Sequence, residues 1–388
     1  MILIDQPYVS DYLIQTIRKN GFRLVASPAA RKLIHADDLH WISEKEAVRM
    51  IRENPDTPLY TNSENALSWL DRQLNGSAYA THSDLFKNKA KFRKLIQSLY
   101  PDFFFKTLKT EDLQSLNTRD LPFPFVIKPA IGFFSIGVHV VRDKSSWGMI
   151  RKELTYKNLA SIYPSSVLDT STFIIEEYIE GEEFAVDCYF NDKGKIVILN
   201  ILQHRFSSGA DTSDRVYTTS EEIVTAYRPS FETFLQSLGK KAGLSNFPAH
   251  VELRVDASGR VIPIEVNPLR FGGWCTTADL LGLATDANPY EYYLRKRKPD
   301  WDRVFQGKRD RVFSIIVLNN SSGYDPDQIE SFDYSRLAGD FERPLEIRKM
   351  DLKKYGVFGF VFTETKKDKQ KELDEILVSD LKKYIRLK

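Results

Sequence analysis

Three oxygen-bearing side chains stand at spacings that can bring them to one place. Alternation along an extended strand puts Glu265 and Asn267 of the segment IEVN on one face, and Glu252, Arg254 and Asp256 of VELRVD on one face of another strand. The turn through Ser258 and Gly259 makes the two strands neighbours. With matching register, Glu252, Glu265 and Asn267 converge as the hard oxygen set that Mg²⁺ takes when phosphates and water fill the rest of its shell. The solvated face of an ordinary hairpin would carry the same charges. What tips the balance is the end of the second strand, where Asn267-Pro268 is followed by Arg270, Gly272 and Gly273, a run in which backbone can approach a ligand closely.

Two further segments carry chemistry of the same kind. Lys128 closes the apolar strand FPFVIKP, and a lysine there is costly to bury unless its ammonium meets an anion such as a phosphate. The following GFFSIGV offers Ser135, Gly137 and backbone N–H groups that could fold over phosphates, although a plain loop would read the same way. In FIIEEYIEGEEF an apolar strand runs into acidic residues around a glycine. This fits either a solvated turn or a nucleotide edge, with Glu176 accepting from the adenine amine, main-chain atoms of Glu177 and Ile179 reading the ring, and Glu183 taking the ribose hydroxyls.

The elements that must position these groups follow from periodicity. Residues 1–5, FRLVAS and PLYT read as short strands alternating with helices at Tyr12–Gly21 and EKEAVRMIREN, which makes a small parallel α/β unit. KNKAKFRKLIQSLY is an amphipathic helix stopped by Pro101; FFFKTLKT and FPFVIKPA are strands, and helices are expected over 111–120 and 144–160. EEFAVDCYFN and KIVILNILQHRF form a hairpin across NDKGK, and a polar loop precedes a long helix carrying Phe231, Phe234 and Leu235. RVFSIIVL, GVFGFVFTE and a charged final helix from about Asp368 complete a C-terminal α/β piece.

Taken in order, Lys89, VIKP, EEYIEGEEF, VELRVD and IEVNP resemble the ATP-grasp superfamily over about residues 86–275. The resemblance implies an α/β (α+β) fold: an ATP-grasp core of two α+β subdomains, preceded by a Rossmann-like domain and followed by a small C-terminal α/β piece. The expected division is 1–85 for the Rossmann-like domain, 86–170 for the small subdomain, 171–300 for the large subdomain with the metal site, and 301–388 for the extension. It also implies that Lys89 and Lys128 hold ATP phosphates, that Glu252, Glu265 and Asn267 hold Mg²⁺ (with Mn²⁺ as an alternative), and that Arg270 stabilises an oxyanion together with backbone near Gly272. Two features depart from the family pattern: the flap carries Phe133 and Phe134 where glycine is usual, and Leu269 separates Pro268 from Arg270.

The activity implied is that of an ATP-dependent ligase, which activates a carboxylate as an acyl phosphate for attack by an amine, with amino acids or peptides as substrates. A kinase-like phosphotransferase and a non-catalytic ATP-binding regulator are the competing readings. His204 and Arg205, ending ILQHRF, are candidates for contact with the γ-phosphate or the acid, and equally suit a solvated strand end. Composition agrees with a folded enzyme: among 388 residues, 42% are hydrophobic, and 55 basic against 53 acidic residues give a formal charge of +2 with no basic stripe for nucleic acid or membrane. Two cysteines, Cys188 and Cys275, make no disulfide framework and point to a cytoplasmic protein. A monomer or homodimer is expected, acting on small molecules.

Overall fold

A computed structural model describes residues 1–132, 137–156, 169–208 and 213–388. The N-terminal sheet is parallel, with β1 (Ile2–Leu3), β2 (Leu24–Val25), β3 (Trp41–Ile42) and β4 (Tyr60–Thr61) in the order β3-β2-β1-β4. Its helices begin and end where side chains can satisfy the free backbone groups. In Asp11–Asn20, the Ser10 hydroxyl accepts from the Leu13 N–H, and Gly21 ends the helix in the left-handed conformation. Leu13 and Ile17 then pack on Ile2, Ile4 and Leu24.

A second, antiparallel sheet contains β5 (Phe105–Lys109), β6 (Phe125–Ile131), β7 (His139–Val141) and β8 (Asp169–Glu177), ordered β5-β8-β6-β7. The expected helix over 111–120 is instead a single 3₁₀ turn, Thr110–Leu113. Polar side chains bind nearby backbone and take the place of helical bonds: the Ser115 hydroxyl donates to the Asp112 carbonyl, and Asn117 Oδ1 accepts from the Arg119 N–H. The next helix is Lys144–Tyr156.

The largest sheet has eight strands. β9 (Glu182–Phe190), β10 (Ile196–Arg205), β11 (Val216–Thr219), β12 (Phe247–Val255) and β13 (Val261–Pro268) are joined by β14 (Arg311–Asn319), β16 (Pro344–Lys349) and β17 (Val357–Lys366), while β15 (Ile329–Phe332) pairs separately with β18 (Ile385–Leu387). The order is β13-β12-β9-β10-β11-β14-β17-β16, so the C-terminal strands continue the sheet that carries Glu252 and Glu265. Helix Glu221–Ala242, capped by Ser220 and closed by left-handed Gly243, lays Phe231, Phe234 and Leu235 in the core, with Phe231 edge-on to Phe184 of β9. The charged C-terminal helix is short, Lys371–Leu377, and the chain returns from it as β18.

Candidate active site

The β12–β13 register places Glu252 directly opposite Glu265, with a bulge immediately after Glu252. Asn267 lies two residues beyond Glu265, and its Nδ2 donates at 3.3 Å to Oε1 of both carboxylates. Burial, and then the facing Glu265, push the Glu252 carboxyl well above the usual range. Burial would raise Glu265 as well, but the Lys89 ammonium, with Nζ 2.8 Å from Oε2, holds it low. Lys89 opens helix Lys89–Ile96, which is capped by Asn88, and also reaches the Gly132 carbonyl at 3.4 Å.

No group of three His, Cys, Asp or Glu side chains poised to hold a metal occurs among the described residues. The donor set nevertheless fits a hard divalent cation. Two opposed carboxylates with an amide beside them repel each other, and a cation between them removes the repulsion. The Asn267 amide would turn its oxygen inward, an orientation set by hydrogen bonding alone.

Lys128 on β6 and Glu176 on β8 share a sheet face, because β6 pairs Lys128 with Ile174 and Val126 with Glu176. Their ion pair measures 2.8 Å, and Arg93 completes it from the helix side, with Nε 2.6 Å from Oε1 and Nη2 3.2 Å from Oε2. All three side chains are buried: Arg93 is 2% exposed, Glu176 3% and Lys128 6%. Burial lowers Lys128, and Glu176 only partly restores it. Arg93 also donates to the carbonyls of Pro263 and Ile264 at 2.6 and 3.4 Å, so one guanidinium ties β8 to β13. Glu176, expected to face the adenine amine, here accepts from Arg93 and pairs with Lys128 through its two oxygens.

Glu177 is bound to the β5 side, its N–H donating to the Phe104 carbonyl and its Oε2 accepting from the Phe104 N–H, each at 3.1 Å. The Ile179 carbonyl accepts from Arg254 Nη1. Glu183 lies between Arg254, with Nε 2.9 Å away, and His204 Nδ1 at 3.2 Å. Gly181 has φ +123°, and a Cβ there would stand 2.1 Å from the Val255 carbonyl oxygen, so this turn excludes any side chain. Gly137 is described, and Ser135, with Phe133 and Phe134, lies outside the described residues.

The two candidates at the end of β10 lie on its opposite faces. Both ring nitrogens of His204 are engaged, Nδ1 by Glu183 and Nε2 by the Ser213 carbonyl at 3.0 Å, and its ring stacks on Tyr217. It braces Glu183. Arg205, its neighbour on the alternate face, points to Asp374 at 3.6 Å. The Gly272 N–H, expected to serve an oxyanion, donates instead to Asp187 Oδ1 at 3.0 Å and to Thr277 Oγ1 at 2.8 Å. Gly273 begins the 3₁₀ turn Gly273–Cys275.

Arg270 projects from a loop with unusual backbone: Leu269, Trp274 and Cys275 all have φ near +60°. Each such non-glycine residue costs about 1–3 kcal/mol and persists only where its surroundings impose it. Arg270 Nη2 donates to Glu64 Oε1 at 2.8 Å, and Nη1 to the Phe271 carbonyl at 2.9 Å. Glu64 and its second partner Lys87, with Arg93, Asp187 and His250, are groups that sequence reasoning missed. Their partners lie far away in the chain; the buried Asp187 also accepts from His250 Nδ1 at 2.7 Å.

Two buried lysines, Lys89 and Lys128, thus stand beside an opposed carboxylate hairpin, between a four-stranded and an eight-stranded sheet. Residues 121–278 match the ATP-grasp domain family. The chain is 29% identical over 198 residues to a D-alanine–D-alanine ligase of Bacillus anthracis, covering 50% of this chain and 58% of that protein. The chain thus spans little more than half the length of the curated relatives it matches. In fold it is similar to an L-amino acid ligase from Bacillus licheniformis, with a TM-score of 0.68 at 18% identity, covering 100% of this chain and 98% of the other. It is also similar to the dimeric biotin carboxylase domain of Hydrogenobacter thermophilus 2-oxoglutarate carboxylase, described in complex with MgADP, with a TM-score of 0.63 at 11% identity over 94% and 86% of the two chains.

Proposed function

We propose that this chain is an ATP-dependent, ADP-forming carboxylate–amine ligase acting on small molecules, with amino acids or short peptides as substrates. The observation that carries this reading is the opposed pair Glu252 and Glu265 with Asn267, set against Lys89 and next to the Lys128–Glu176–Arg93 cluster. Mg²⁺, held by Glu252, Glu265 and Asn267, supplies neutralisation of the terminal phosphates when bound; Mn²⁺ suits the same donors. Lys89 and Lys128 draw the phosphate oxygens, and the buried Glu176 and Arg93 fix Lys128 so that it loses little freedom on binding. Glu183, held by Arg254 and His204, presents a carboxylate to the ribose hydroxyls. The substrate carboxylate attacks the γ-phosphorus and ADP leaves. The amine then attacks the acyl phosphate, and the Arg270 guanidinium stabilises the oxyanion that forms before phosphate departs.

In this reading residues 1–85 are the Rossmann-like unit, 86–170 and 171–300 the two ATP-grasp subdomains, and 301–388 the extension. The fully buried, free cysteines Cys188 and Cys275 suit a reducing cytoplasm, and no helix among the described residues is long and apolar enough to cross a membrane. The protein works as a monomer or homodimer. The test is ADP release with Mg-ATP and pools of carboxylic and amino acids. Wild-type release should depend on both an acid and an amine, and Glu265→Ala and Lys128→Ala should abolish it. Release with a single acceptor and no amine would assign a phosphotransferase, and nucleotide binding without turnover a regulator.

A further inference from the structure

The first unit does more than flank the site, because its β4 end holds the loop that carries Arg270 at two points. Thr61, the last residue of β4, donates to the Leu269 carbonyl through its N–H at 2.7 Å and through its hydroxyl at 3.2 Å. Three residues on, the Glu64 carboxylate accepts from Arg270 Nη2 at 2.8 Å and pairs through its other oxygen with Lys87. Glu64 opens the turn Glu64–Ala66, capped by the Ser63 hydroxyl, so its backbone is fixed before its side chain reaches across. β4 flanks β1 on the side opposite β2, which makes its carboxyl end the switch point of this parallel sheet, the place where such sheets receive ligands.

The side chains of Glu64, Arg270 and Lys87 are only 14%, 12% and 12% exposed, so this ion pair is not a surface pair screened by water. Burial opposes ionisation of Glu64, but Lys87 and then Arg270 hold its carboxyl below its ordinary range. One of the two terminal guanidinium nitrogens is given to Glu64 and the other to the Phe271 carbonyl, which together fix the plane of the guanidinium. A loop with Leu269 in the left-handed region would otherwise be free to relax and carry Arg270 away.

We propose that Glu64, supported by Lys87, is a positioning residue that orients Arg270 from the N-terminal unit. This rests on the ligase reading, in which Arg270 faces the reacting carboxyl group. Two readouts test it. The first is steady-state kinetics of wild type, Glu64→Gln, Glu64→Asp, Arg270→Ala and the double variant Glu64→Gln/Arg270→Ala. Expected are a fall in kcat of about 10-fold or more for Glu64→Gln with KM for ATP changed less than about 3-fold, partial rescue by Glu64→Asp, and no further loss when Glu64→Gln is added to Arg270→Ala. A kcat for Glu64→Gln within about 2-fold of wild type, or full additivity in the double variant, overturns the proposal. The second readout needs no turnover: the rate at which phenylglyoxal modifies Arg270, followed by peptide mass spectrometry. It should rise several-fold in Glu64→Gln, and an unchanged rate overturns the pairing. Wild type that releases no ADP with any pool would sink the ligase reading, while the modification rates still decide the pairing.

Discussion

Replacing Glu176 by Gln preserves the shape of the side chain and removes its charge, leaving Arg93 and Lys128 buried on either side of a neutral amide. Two independent routes give the cost. Deleting one partner of a buried ion pair destabilises by about 3–5 kcal/mol, because the remaining charge is left without compensation. Burial alone would raise the Glu176 carboxyl, but Arg93 and then Lys128 outweigh it and bring the group from its ordinary 4.5 to about 2. At about 1.4 kcal/mol per unit, this shift is about 3 kcal/mol of stability. The folded-state value is depressed, so this stabilisation is complete above the unfolded value of 4.5 and is lost as pH falls from there to about 2. Urea melts of wild type and Glu176→Gln, followed by circular dichroism at a series of pH values, measure it directly. At pH 7 the variant should be less stable by about 3 kcal/mol, and the gap should close as pH falls through that window. A gap under about 1 kcal/mol at pH 7, or one that stays constant down to pH 3, would refute the reasoning that these two cations set the state of Glu176.

Glu252→Ala and Glu265→Ala should each weaken Mn²⁺ binding in the presence of nucleotide by about 10-fold or more, read by electron paramagnetic resonance; full occupancy in either variant would remove that carboxylate from the metal set. Gly272→Ala places a Cβ 2.3 Å from the Thr277 side chain. It should cost about 1–3 kcal/mol and displace the bond to Asp187, with a melting temperature equal to wild type as the contrary result.

Local pattern made part of this site legible. Period-two alternation and a short turn are enough to bring Glu252, Glu265 and Asn267 together, and the observed register pairs Glu252 with Glu265. The buried setting of Lys128 followed from its place at the end of an apolar strand, and the need for a counter-charge followed from physics, but the partner found is Glu176. That pairing depends on how β6 and β8 align, and the third member, Arg93, is 83 residues from Glu176 in the chain. The Glu64–Arg270 contact joins residues 206 apart, across two sheets, where no periodicity reaches. Glu176, His204 and Gly272 show a common lesson. Each has the right chemical type for a ligand contact, but burial forced each to satisfy itself within the protein first. Folding decided the membership of β14, β16 and β17 in the large sheet, since their apolar alternation suits a separate sheet equally well.

That membership makes the last strands a part of the frame. β14 hydrogen-bonds β11 along Val216–Thr219, and β17 and β16 follow it outward. A chain shortened before Arg311 would open the sheet in its middle, baring the edge of β11 where a protected strand now runs, and such a row of unpaired donors and acceptors invites other chains to pair with it. The C-terminal strands therefore cover the long edge of β11 and move that side of the sheet's open edge out to β16.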